Sequence, residues 1–120
     1  MLFTVDLTQK EKNVYRVLKR LEIAGKHSLS LPYDSKCNNE HGHNWIITVE
    51  CESGVLDKNG MVVDFSRIKE VVMKLDHQNI NDFIDQPTAE NIAKWVCDSI
   101  EYCVKVTVQE SEGNIASYEL

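Results

Sequence analysis

Asp64-Phe65-Ser66-Arg67-Ile68-Lys69-Glu70-Val71-Val72-Met73-Lys74-Leu75 is the stretch where the hydrophobic period of the chain changes. Phe65, Ile68, Val71, Val72 and Leu75 recur at helical spacing. Asp64 stands where an N-cap belongs, with a carboxylate able to accept from the orphan N–H groups of a first turn. Upstream the period is two. Tyr15, Val17, Leu21 and Ile23 can share one face of a long strand within Val14–Leu29, and the Lys/Glu-rich Thr8–Lys12 before it reads as a helical turn or a loop. Ser30–Glu40 carries Pro, Asp, Ser and Asn and reads as a loop. β-Branched and aromatic residues return over His41–Glu52 for a second strand, followed by turn-rich Ser53–Gly60.

Downstream, a second helix is expected after Pro87, with Thr88 or a neighbour at its cap and Ile92, Trp95, Val96, Ser99, Ile100 and Cys103 down one face. Val104–Val108 and Ile115–Leu120 read as a closing strand pair around Glu112-Gly113-Asn114. The order β-β-α-α-β-β implies an α+β fold. An antiparallel four-stranded sheet with both helices on one face would bury all the apolar faces. No repeat, low-complexity tract or linker interrupts it, so residues 1–120 are expected to form one domain.

The bulk properties narrow the function. A content of 42% hydrophobic and 27% charged residues is that of a soluble globular chain rather than a disordered one. No apolar run approaches the roughly 20 residues of a membrane helix. The N-terminus lacks the basic start, apolar run and small-residue cleavage site of a secretion signal, so a cytoplasmic location is expected. A net charge of −6 argues against nucleic-acid binding through a broad basic face, though not against a small anionic substrate. In that compartment the four cysteines are expected to be reduced. Cys51, Cys97 and Cys103 read as core residues, as do Trp45 and Trp95.

Chemistry concentrates in Cys37-Asn38-Asn39-Glu40-His41-Gly42-His43. On a strand, a spacing of two puts His41 and His43 on one face, and Gly42 leaves room for close approach. His27 ends the preceding strand, and an antiparallel partner would bring it opposite the pair. Three neutral imidazoles with an open position suit Zn²⁺ as a Lewis acid. Cys37 as a fourth ligand would close the site and make it structural, and the His-Gly-His pair also occurs without metal.

These residues resemble those of the 6-pyruvoyl-/6-carboxy-tetrahydropterin synthase family. The resemblance runs through Ile23-Ala24-Gly25-Lys26-His27-Ser28-Leu29, Cys37-x3-His41-Gly42-His43, Gly60–Phe65, Leu75-Asp76-His77-Gln78-Asn79-Ile80-Asn81, Pro87-Thr88-Ala89-Glu90-Asn91 and Glu110. It implies the T-fold, assembly into a homo-oligomer (a hexamer of two trimers, with active sites where subunits meet), Zn²⁺ on His27, His41 and His43, and 7,8-dihydroneopterin triphosphate as substrate. It further implies Cys37 as the proton-abstracting base, Asp76 and His77 as a relay pair, and Glu110 as the anchor of the pterin ring. Thr88 and Glu90 would lie around the ring, with Lys26 and Lys36 as candidates for the triphosphate.

Each of these residues also has a plainer reading: an inert loop thiol, a helix-terminal Asp-His pair, a solvent-facing glutamate. The three-residue gap between Cys37 and His41 resembles the 6-carboxytetrahydropterin synthases of the deazaguanine (queuosine) route, which release acetaldehyde and triphosphate. Glu40 departs from that pattern. It resembles the glutamate of branches that form 6-hydroxymethyl-dihydropterin for folate, so Glu40 is a second catalytic candidate or a residue that orients a metal-bound His. A 6-pyruvoyl product, a zinc hydrolase and a non-catalytic metal- or pterin-binding module are the remaining alternatives.

Overall fold

The computed structural model describes residues 13–120; the expected turn at Thr8–Lys12 lies outside them. Strands β1 (Tyr15–His27) and β2 (His41–Ser53) are followed by helix α1 (Phe65–Val72), the two-residue strand β3 (Gln78–Asn79) and helix α2 (Ala89–Asp98). Strands β4 (Cys103–Ser111) and β5 (Asn114–Glu119) end the chain. Single 3₁₀ turns lie at Lys36–Asn38, Met73–Leu75 and Ile80–Asp82.

The sheet order is β3-β1-β2-β4-β5. β1 and β2 pair antiparallel without a break from Tyr15↔Ser53 to His27↔His41. β4 lies antiparallel to β2 and β5 antiparallel to β4. These four long strands and two helices are the expected α+β arrangement. β3 is an addition, running parallel to β1 through Gly25↔Gln78 and Lys26↔Asn79. Two residues carry no readable period; this strand exists because the chain ahead of it is tied to β1. The His77 N–H donates to the Ala24 carbonyl at 2.6 Å, and Asp76 Oδ1 accepts from the Ala24 N–H at 2.9 Å.

Period-two alternation sends Ile23, Trp45, Ile47, Val49, Val106 and Val108 to one face of the sheet. There they pack with Ile68, Val71 and Val72 of α1 and with Ile92, Ala93 and Val96 of α2, all fully buried. Each such aliphatic side chain contributes about 1.5–3 kcal/mol of burial, so both helices are held on the same face. Cys51, Cys97 and Cys103 are buried in this core and Trp45 is wholly enclosed, as expected. Among the described residues no helix is long and apolar enough to cross a membrane.

Both expected N-caps are formed. Asp64 Oδ1 accepts from the Ser66 N–H at 2.8 Å and Thr88 Oγ1 from the Asn91 N–H at 3.1 Å. The helix over Phe65–Leu75 is α-helical only to Val72, after which its last turn tightens to 3₁₀. Cys103 is not on the face of α2. Tyr102 adopts a left-handed φ of 64° and turns the chain, so that Cys103 opens β4.

Candidate metal centre and active site

The unbroken β1–β2 ladder fixes the site. His27 is registered directly opposite His41, and His43 opposite Gly25, on the face that carries Trp45. The ring centroids of His27, His41 and His43 lie 4.5, 5.1 and 4.8 Å apart. Trp45 packs edge-on against His27 and His43 at 4.9 and 5.1 Å, and its Nε1–H donates to the Gly25 carbonyl at 3.0 Å. On β4, Glu110 lies one residue past Gln109, the partner of Ile46, and on the core face by alternation. The four side chains converge, with ligand atoms all within 4.8 Å of one another.

Backbone carbonyls set the tautomers. His27 Nδ1 donates to the Pro87 carbonyl and His41 Nδ1 to the Asn39 carbonyl, each at 2.7 Å. Their Nε2 atoms are then lone-pair donors when the rings are neutral. Burial pushes the His27 pKa down, with His41 adding to the effect while the Pro87 carbonyl and Glu110 oppose it. Burial likewise lowers His43 against the pull of Glu110. The neutral forms of His27 and His43 are therefore favoured.

Glu110 Oε1 sits 3.2 Å from His27 Nε2 and 3.3 Å from His43 Nε2. Neither buried nitrogen has a hydrogen-bond partner. A cluster of lone pairs and a carboxylate, with buried nitrogens unpaired, is costly by itself and is relieved by a cation. Bonds of 2.0–2.1 Å to a tetrahedral ion would set ligand atoms roughly 3.3 Å apart, which matches the two Glu110–His distances, while the group as a whole, within 4.8 Å, would draw in around the ion. The residues fit a metal with N and O donors. The fourth member of this group is Glu110, not Cys37.

Cys37 instead lines the approach to the centre. A hollow of about 500 Å³ is bordered by Lys36, Cys37, His41, His43, Glu110 and Asn114. Glu110 also borders a second hollow of about 290 Å³, together with Ala89, Glu90, Gly113 and Asn114. Cys37 is half-buried in its 3₁₀ turn, where its N–H donates to Ser35 Oγ at 3.1 Å.

The other candidates are placed differently. Asp76 Oδ2 holds His77 Nδ1 at 2.8 Å, and the hydrogen bond from the Ala24 N–H, then that from His77, keeps the Asp76 carboxyl below its ordinary range. The His77 side chain is 79% exposed and borders a separate hollow of about 410 Å³ with Lys26, Asn44 and Gln78, whose wall it shares with His43. Within one chain the pair and Cys37 thus face different hollows. Lys26 and Glu40 are half-exposed and engaged with each other at 3.1 Å, outside the converging group. Thr88 uses its hydroxyl to cap α2. The carbonyls of Pro87 and Asn39 were not legible in the sequence, because backbone groups leave no residue-type signal.

Residues 16–120 match the family model described as 6-pyruvoyl tetrahydropterin synthase. A protein of Archaeoglobus fulgidus whose name assigns it to the 6-carboxy-5,6,7,8-tetrahydropterin synthases is 48% identical over 52% of this chain. That alignment spans only 57% of the relative's own length. A dihydroneopterin monophosphate aldolase of Pyrococcus furiosus is 34% identical over 71% of this chain and 74% of its own. The structure of the Caenorhabditis elegans 6-pyruvoyl tetrahydropterin synthase superposes with a TM-score of 0.71 at 25% identity, covering 90% of this chain and 96% of that one. A converging three-histidine centre on a T-fold, and a family match over nearly the whole chain, lead to one conclusion: this chain belongs to the 6-pyruvoyl tetrahydropterin synthase family.

Proposed function

We propose that the chain is a zinc-dependent 6-carboxy-5,6,7,8-tetrahydropterin synthase, converting 7,8-dihydroneopterin triphosphate and water into 6-carboxytetrahydropterin, acetaldehyde and triphosphate. The observation that carries this reading is the convergence of His27, His41 and His43 beside a hollow that Cys37 also lines. Zn²⁺ on the three imidazoles would supply Lewis-acid stabilisation of negative charge on the substrate's side-chain oxygens. Cys37 is the base that takes a proton from a carbon of the substrate's side chain. His77 exchanges protons through Nε2, because Asp76 holds its Nδ1.

In this reading Glu110 stays off the ion, which leaves the fourth position open, and its carboxylate accepts hydrogen bonds from the guanidine-like edge of the pterin. Its position between the two hollows supports a ring lying beside Glu90, near the Thr88 cap, with the side chain reaching toward Cys37. Lys36, at the rim of the larger hollow, suits the triphosphate, and Lys26 would have to leave Glu40 to join it. That Cys37 and His77 face different hollows of one chain supports a homo-oligomer in which one copy's pair completes another's site; the resemblance to the family implies a hexamer of two trimers.

The Pyrococcus furiosus aldolase favours a second reading, carbon–carbon cleavage of a dihydroneopterin phosphate to 6-hydroxymethyl-dihydropterin. Glu40 is its candidate residue. The test is to incubate the zinc-loaded protein with the triphosphate and, separately, with the monophosphate, and to identify products by mass spectrometry. Carboxy product from the triphosphate supports the first reading, and hydroxymethyl product alone overturns it for the second. Loss of only the hydroxymethyl product in Glu40→Ala supports a role for Glu40; sparing or losing both contradicts it.

A further inference from the structure

Between β1 and the Cys37 turn the chain runs through Ser28-Leu29-Ser30-Leu31, outside any regular element yet with its backbone bonded in strict alternation. On one side, the Ser28 N–H donates to Asn81 Oδ1 at 2.9 Å while Asn81 Nδ2 donates to the Ser28 carbonyl at 2.9 Å. Two residues on, the Ser30 N–H donates to Gln86 Oε1 at 2.9 Å and Gln86 Nε2 donates to the Ser30 carbonyl at 3.2 Å. Each carboxamide reproduces the two-bond exchange of a strand partner. On the other side, the Leu29 N–H donates to the Cys37 carbonyl at 2.8 Å and the Leu31 N–H to Asn38 Oδ1 at 2.9 Å.

Asn81 and Gln86 are themselves held. The Asn81 N–H donates to Asn79 Oδ1 at 3.2 Å, and Asn91 Nδ2 of α2 donates to the Gln86 carbonyl at 2.9 Å. Gln86 directly precedes Pro87, whose carbonyl fixes the His27 ring. One short loop therefore anchors both a histidine of the metal centre and, through Ser28–Leu31, the turn that carries Cys37.

We propose that Asn81 and Gln86 are positioning residues, a carboxamide clasp that sets the Cys37 thiol against the three-histidine centre. Loosening the clasp leaves the histidines on their β1–β2 ladder and frees the Cys37 turn. The inference rests on the reading of Cys37 as the base, and its test separates the two. The other cysteines are poor competitors for an alkylating probe: all three are buried, and burial pushes the Cys97 thiol up to about 12.

Zinc-loaded Asn81→Ala, Gln86→Ala, Asn81→Asp and Gln86→Glu proteins are compared with wild type for Cys37 alkylation rate by iodoacetamide, zinc stoichiometry, kcat and KM. The acidic variants keep the acceptor and the shape but lose the donor half, and they serve if the alanine variants do not fold. The expected result is several-fold faster alkylation together with a kcat about 10–100-fold lower, zinc content unchanged, and acidic variants in between. Wild-type alkylation and kcat in all variants would overturn the clasp, and so would losses of activity that track zinc content. If Cys37→Ala turns over normally, the catalytic reading fails, while faster alkylation in the variants still establishes the clasp.

Discussion

At Gly25 an added Cβ would press on the buried Ile80: it would lie 3.0 Å from Cδ1, which would have to give by a few tenths of an ångström inside the packed core. Gly25 also offers its carbonyl to the Trp45 indole. Gly25→Ala is expected to destabilise the protein by about 1–3 kcal/mol, measured by urea unfolding, and to weaken metal binding by displacing Trp45 from behind His27 and His43. At His27 and His43, burial holds the native pKa below the ordinary 6.5. As pH falls through 6.5 the unfolded chain takes up protons that the native state resists, so unfolding is favoured. The metal-free protein should therefore lose Tm on acidification from about pH 7 to about pH 5, with the loss blunted in His27→Gln. A flat Tm across that range contradicts the buried neutral rings. The His-Gly-His pair and His27 were legible because strand spacing alone aims them together. The convergence of Glu110 with them was not, since it depends on the β2–β4 register.

At the scale of the element, α2 begins at a joint where structure and site share residues. Thr88 caps the helix, and the preceding carbonyl, on Pro87, orients His27. Thr88→Ala is expected to cost about 1 kcal/mol of stability and to lower zinc affinity about tenfold through the Pro87 carbonyl; Thr88→Ser should restore both. Calorimetric zinc titration alongside thermal melts separates the two effects, and a stability loss with unchanged affinity would show that the joint is not shared. Both caps could be read from residue type and position. β3 could not, because it depends on Asp76 and His77 gripping the backbone of Ala24 rather than on any pattern of its own. The end of α2 is not legible because Ile100 and Cys103 continue the helical spacing, whereas the helix stops at Asp98 and the left-handed Tyr102 then turns the chain into β4.

For the whole molecule, the two halves of the proposed machinery face different hollows of one chain. If one copy's Asp76–His77 pair serves another copy's Cys37, then Cys37→Ala and His77→Ala proteins, each inactive alone, should recover partial activity when unfolded together and refolded. No recovery, from mixed oligomers verified by native mass spectrometry, would mean that each chain uses its own pair. The fold class was legible from the alternation of periods along the chain. The separation of the hollows was not, because it follows from His77 lying beyond the edge of β1 while Cys37 hangs from the loop that follows it.

The most direct test is to strip the protein of metal, restore Zn²⁺, add 7,8-dihydroneopterin triphosphate and follow 6-carboxytetrahydropterin and acetaldehyde together, with stripped protein and zinc-loaded Cys37→Ala in parallel. The account predicts both products in equal amounts from the zinc-loaded protein alone. Substrate left intact by a folded, zinc-loaded oligomer, or equal turnover by Cys37→Ala, would contradict it.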